Sequence, residues 1–174
     1  TVTDTFEPGS TFKPFILAAA LEEGTVNLET PFDCEDGAIR IGKHTVRDSH
    51  AHETLTSAEI IQKSSNIGAY KIAKTIGKDR TYEYIRSFGF GSRTGLGIRG
   101  EQPGLVWPPD RWADVTFANI AFGQGLSATP IQVTSAVSAI ANGGMLLQPR
   151  IVSEVRRPGG QTRRKTQPTL VRRV

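Results

Sequence analysis

Glu7-Pro8-Gly9-Ser10-Thr11-Phe12-Lys13-Pro14-Phe15-Ile16-Leu17-Ala18-Ala19-Ala20-Leu21 is the stretch on which the rest of the sequence turns. Pro8-Gly9 breaks whatever precedes it, and Gly24 closes the apolar segment on its C-terminal side. A proline at position 14 is compatible with a helix only in its first turn, where the missing N–H has no partner to lose. The helix is therefore expected to begin near Ser10. From Phe15 to Leu21 it is apolar on every side, so it should be buried on every side, as the central pillar of a domain.

The pattern outside this segment is also mainly helical. Thr56-Ser57-Ala58-Glu59 reads as a capping box ahead of Ile60 and Ile61. Ser64-Ser65-Asn66 interrupts the helical pattern, which resumes through Ile67, Tyr70, Ile72, Ala73 and Ile76 and closes at Gly77. Asp79 can cap a further helix ending at Phe88-Gly89. Thr129-Pro130 opens another, with Val133, Val137, Ile140 and Ala141 on one face, stopped by Asn142-Gly143. Between these, Val26–Asp48 alternates apolar and polar residues around Asp36-Gly37 and Gly42, as short hairpin strands do. Residues 89–109 are rich in glycine and proline and are expected as a surface loop. The expected architecture is mainly α: a helical lobe over residues 1–155 with a small β-hairpin insertion, and then a mobile basic tail over 156–174.

The chain has 174 residues, 37% hydrophobic and 22% charged, which suits a globular domain and excludes a disordered one. Its longest strongly apolar run is too short to cross a bilayer. Cys34 is the single cysteine, so no intrachain disulfide can form. The chain starts at Thr1 and its one methionine is Met145, so it is expected to be a mature or excised part of a longer product. The net charge of +4 is concentrated in Arg156, Arg157, Arg163, Arg164, Lys165, Arg172 and Arg173, and the remainder is mildly acidic. No aromatic residue is interleaved with those cations, which argues against nucleic acid as a partner. Gly89-Phe90-Gly91-Ser92-Arg93-Thr94-Gly95 has the wrong spacing for a nucleotide loop. Asp48-Ser49-His50-Ala51-His52 lacks a remote fourth ligand, so neither a metal nor any other cofactor is expected.

Ser10-Thr11-Phe12-Lys13 does carry chemistry. A serine hydroxyl is a weak nucleophile until a base removes its proton. At i and i+3 of a helical turn, Lys13 can bring its amine toward Ser10. Burial lowers a lysine's pKa toward the range where it can act as a base. A serine at a helix start also sits beside backbone N–H groups that can stabilise an oxyanion. Ser-x-x-Lys alone is a common string, and Ser64-Ser65-Asn66 alone reads as a helix cap.

Together and in this order the two motifs resemble the serine penicillin-recognising enzymes. Glu7–Phe15 looks like the active-serine segment of class B penicillin-binding proteins, and Gln62–Gly68 like their second motif. Phe122-Gly123-Gln124-Gly125-Leu126-Ser127-Ala128-Thr129-Pro130, continuing to Asn142-Gly143-Gly144, resembles the stretch before their third motif. The similarity is greatest to the division-associated transpeptidases. Ser65 departs from the Ser-Asp-Asn of class A β-lactamases, which favours a penicillin-binding protein over a hydrolase.

The resemblance implies the helical lobe of a β-lactamase/transpeptidase-like fold and a peptidoglycan D,D-transpeptidase that works through a serine acyl-enzyme. It implies Ser10 as nucleophile, Lys13 as its base, Ser64 as proton relay and Asn66 as a substrate-binding residue. The implied partners are D-Ala-D-Ala stem peptides, β-lactams and the rest of the transpeptidase domain. The implied location is the outer face of the bacterial inner membrane. The third motif, Lys-Thr-Gly or Lys-Ser-Gly, does not occur; Lys74-Thr75-Ile76 and Lys165-Thr166-Gln167 lack its glycine. This chain by itself is therefore expected to be poorly active or inactive, and to self-associate through apolar surface that the missing sheet would cover, chiefly on the helix bearing Phe12 and Phe15. A penicillin-sensing module without turnover, and a structural helical domain with accidental caps, are the alternatives.

Overall fold

The computed structural model describes residues 1–174. Five helices run in chain order as α1 (Lys13–Glu22), α2 (Ser57–Lys63), α3 (Asn66–Ser87), α4 (Asp114–Ala121) and α5 (Pro130–Ala141). Eight strands are interleaved with them: β1 (Pro31–Asp33), β2 (Ala38–Ile41), β3 (His44–Arg47), β4 (Thr54–Thr56), β5 (Met145–Leu147), β6 (Glu154–Arg156), β7 (Thr162–Lys165) and β8 (Leu170–Arg173). They form four separate two-stranded antiparallel ribbons, β1–β4, β2–β3, β5–β8 and β6–β7.

This corrects the mainly helical expectation, because the chain is 40% helical and 18% strand. The unforeseen strand lies mainly in β4, β7 and β8, each three or four residues long. Every residue of β7 and β8 is exposed, so no face is buried and no period-two hydrophobic pattern marks the strands. They are held mainly by backbone pairing. Residues 156–174 supply β7 and β8, and β8 pairs with β5. The Val26–Asp48 region contains one true hairpin, β2–β3, while β1 reaches out to β4.

Helix α1 is the pillar that its composition requires. A 3-10 turn over Gly9–Phe12 precedes it and Pro14 falls in its first turn. Gly24, at φ +66°, ends it, with the Thr25 N–H donating to the Ala20 carbonyl. Phe12, Phe15, Ile16, Leu17, Ala19 and Ala20 are buried, and of the apolar residues from Phe15 to Leu21 only Leu21 is exposed. Phe12 and Phe15 close an aromatic cluster with Phe88 and Phe90, ring centroids 5.0–5.5 Å apart. Each such pair adds about 0.5–1.5 kcal/mol beyond its buried area, which locks the start of α1 against the loop after α3.

The capping box read at Thr56 forms: the Thr56 N–H donates to Glu59 Oε2 and the Glu59 N–H to Thr56 Oγ1. Thr129 and Gln132 make a second at α5. Gly77, at φ 80° and ψ 169°, breaks α3 where the sequence suggested two helices. Packing of α2 on α3 depends on Gly68, because a Cβ there would lie 2.4 Å from Ile60 Cγ1.

Candidate active site

Ser10 sits in the 3-10 turn and Lys13 starts α1. In a 3-10 turn, residues i and i+3 eclipse, so the two side chains emerge on one side. Ser10 is exposed, and neither its hydroxyl nor its N–H has a hydrogen-bond partner within the chain. The turn is braced from below by Gly123. The Gly9 N–H donates to the Gly123 carbonyl at 2.9 Å, and a Cβ on Gly123 would come within 2.2 Å of the Gly9 oxygen. Glu7 accepts a hydrogen bond from the Gly125 N–H at 2.8 Å. The Phe122-Gly123-Gln124-Gly125 segment thus supports the loop that presents Ser10.

Lys13 is 1% exposed. Its amine donates to the Ser64 carbonyl at 2.5 Å and to Ser64 Oγ at 3.0 Å, and it makes no hydrogen bond to Ser10. Burial pushes its pKa down to about 8, while the negative charge of Asp48 pulls in the other direction. At pH 7 about a tenth of the molecules then carry Lys13 as the free amine.

Ser64 reaches Lys13 because of its backbone. It caps the C-terminus of α2 in the left-handed region, φ 59° and ψ 38°. That conformation costs a non-glycine residue about 1–2 kcal/mol and turns both carbonyl and hydroxyl toward α1. Ser65 then N-caps α3, its hydroxyl accepting from the Gly68 N–H at 2.9 Å. The Asn66 carboxamide donates to the Arg47 carbonyl at 2.9 Å, which leaves its own oxygen free to accept.

The fold therefore gathers Lys13, Ser64 and the Ser65-Asn66 turn from segments about fifty residues apart, with Ser10 one helical turn before Lys13. Lys74 lies on α3 over the Tyr70 ring and Lys165 on exposed β7, paired with Glu154 in register. Neither belongs to this cluster. The larger cavities are elsewhere, as in the groove of about 390 Å³ between Gly95–Ile98 and Gln148–Val152. Sequence reasoning missed Asp48, whose carboxylate binds the Ser65-Asn66-Ile67 turn. A contact across 17–19 residues leaves no local pattern to read.

Residues 1–174, the entire chain, match the penicillin binding protein transpeptidase domain. The chain belongs to that family. It is 38% identical to penicillin-binding protein PbpB of Mycobacterium tuberculosis over 99% of this chain and 26% of that protein. It is 43% identical to stage V sporulation protein D of Bacillus subtilis over 88% of this chain and 24% of that protein. With peptidoglycan D,D-transpeptidase FtsI of Escherichia coli the figures are 35%, 91% and 26%. The fold is that of solved relatives. Mycobacterium tuberculosis penicillin binding protein 3 in complex with aztreonam superposes with a TM-score of 0.87 at 38% identity, covering 98% of this chain and 38% of that one. The transpeptidase domain of Burkholderia pseudomallei penicillin-binding protein 3 gives 0.84 at 35%, covering 86% and 45%. The chain thus spans about a quarter of the curated relatives and under half of these structures.

Proposed function

We propose that this chain carries the nucleophile side of a peptidoglycan D,D-transpeptidase. The observation that carries the reading is the buried Lys13 amine, held 3.0 Å from Ser64 Oγ one turn after an exposed serine. In its neutral form Lys13 takes the Ser10 proton as Ser10 Oγ attacks the penultimate D-Ala carbonyl of a stem peptide. The free Ser10 N–H supplies one donor to the oxyanion. The proton held by Lys13 passes through Ser64 to the departing D-Ala amine, and the acyl group stays on Ser10. Asn66 holds the donor's amide through its free carboxamide oxygen. An amine from a second stem peptide then resolves the ester and forms the cross-link. β-Lactams enter by the same attack: the ring C–N bond opens and the drug stays on Ser10 as an ester. Substrates of this kind place the working site outside the bacterial inner membrane.

The strand that would carry Lys-Thr-Gly or Lys-Ser-Gly is not in this sequence. Losing one oxyanion donor costs roughly 10²–10³ in rate, and losing the aligning strand costs orientation as well. Fluorescent penicillin is expected to label the 174-residue chain very slowly or not at all. A transpeptidase domain completed with the remaining segments should label at Ser10, and lose labelling in Ser10→Ala and Lys13→Arg, since arginine cannot act as a base at neutral pH. No labelling of the completed domain overturns the function. Rapid stoichiometric labelling of the chain alone, abolished by Ser10→Ala, overturns the role given to the missing strand.

A further inference from the structure

Asp48 lies just past the end of β3, outside both serine motifs, and every hydrogen bond its carboxylate accepts comes from the start of α3, at the second of them. Oδ2 accepts from Ser65 Oγ at 2.5 Å. Oδ1 accepts from the backbone N–H of Asn66 at 2.5 Å and of Ile67 at 3.1 Å. Three donors on two oxygens is what an ionised carboxylate accommodates, and the site is the N-terminus of α3, where a negative charge is favoured. The residue before it contributes too, since the Arg47 carbonyl accepts from the Asn66 carboxamide. The end of β3 therefore holds Ser65 and Asn66 while Ser64, next in line, faces Lys13.

Asp48 is itself held in place. Its N–H donates to the Gly37 carbonyl at 3.0 Å. Gly37, at φ +82°, is pressed so closely on the loop after β3 that a Cβ would come within 2.9 Å of Ala51 Cα.

We infer that Asp48 is a positioning residue for the proposed acyl transfer: it fixes the Ser64-Ser65-Asn66 turn against Lys13. This rests on the transpeptidase reading. Asp48 is the one charged side chain whose field acts appreciably on Lys13, holding its proton against the effect of burial. Arg47 on β3 and Lys63 on α2, the other charged residues flanking the turn, are exposed.

The test needs no turnover for its first readout. Lys13 is titrated by side-chain NMR in the 174-residue chain as wild type, Asp48→Asn, Asp48→Ala and Ser65→Ala. Asparagine can keep the backbone hydrogen bonds at Oδ1 but not the charge. Its Lys13 midpoint is expected to fall on the order of 1 unit below wild type. Ser65→Ala should leave the midpoint in place while loosening amide-exchange protection at Gly68, as loss of a plain cap would. If Asp48→Ala does not fold, Asp48→Asn decides. In the completed domain, Asp48→Asn should slow penicillin acylation by roughly 10–100-fold.

An unlabelled wild-type domain would count against the transpeptidase reading. A labelled wild type, with Asp48→Asn acylating at the same rate and titrating at the same midpoint, would overturn the role given to Asp48.

Discussion

Lys13 and Ser64 each carry a conformational or solvation cost that the site requires. Because the Lys13 pKa is lowered from 10.5 to about 8, the unfolded chain binds more protons than the folded one between those values. Stability from this residue therefore rises with pH through the window from 8 to 10.5, and below pH 8 the full cost of burying the charge is present. Lys13→Met is expected to remove that part of the slope, seen as the difference between the two proteins' unfolding free energies from pH 7 to 10.5. At Ser64 the cost is in the backbone, at φ 59°. Ser64→Gly relieves it and Ser64→Ala does not, though both lose the hydroxyl contact to Lys13. Ser64→Gly should be the more stable of the two by about 1 kcal/mol in urea unfolding, with acylation impaired in both.

Between elements, two glycines set how closely backbones meet. Gly123 combines φ +78° with a Cβ direction that points into the Gly9 carbonyl, so Gly123→Ala strains its own backbone and displaces the turn that presents Ser10. A loss of more than about 2 kcal/mol is expected in thermal or urea unfolding. Gly68 meets only side-chain atoms of Ile60, and that difference is testable. Gly68→Ala should be destabilising, but with Ile60→Ala the double variant should lose less than the sum of the two single variants, because the new methyl occupies space the isoleucine vacated. An additive result would mean that the two helices do not meet as described.

Across the whole molecule, apolar surface falls in an unexpected place. The helix bearing Phe12 and Phe15 is covered, both rings being buried. Most of the apolar stripe read on α5 is instead exposed, with Val137 49% and Ile140 40% accessible, while Val133 packs against the core and α5 turns Gln132, Ala136 and Ala139 inward. Gln132 makes this possible by donating its side-chain amide to the carbonyls of Ser92 and Pro103, so a buried polar residue ties α5 to the 89–109 loop. At high concentration the chain should self-associate through this face, and Val137→Ser with Ile140→Ser should shift it toward monomer in light scattering. The melting temperature should change little, since exposed positions carry little of the folding energy. A wild-type chain that stays monomeric at high concentration would contradict this.

Local chemistry made parts of this protein legible from residue order alone. Pro14 and Gly24 bound α1 because proline fits a helix only in its first turn and glycine readily takes the left-handed backbone that ends one, Thr56 and Glu59 cap α2 because they lie within one turn, and Ser10 and Lys13 share a side because of helical spacing. The strands escaped because β7 and β8 bury no face and so need no pattern, and the outward stripe of α5 because hydrophobic periodicity gives a direction without saying what will cover it. Asp48 escaped for the most general reason. Its three hydrogen bonds join residues 17–19 apart, and a carboxylate in a polar loop looks the same whether it faces water or a helix N-terminus. Only the packing of β3 beneath the start of α3 decided which of these it does.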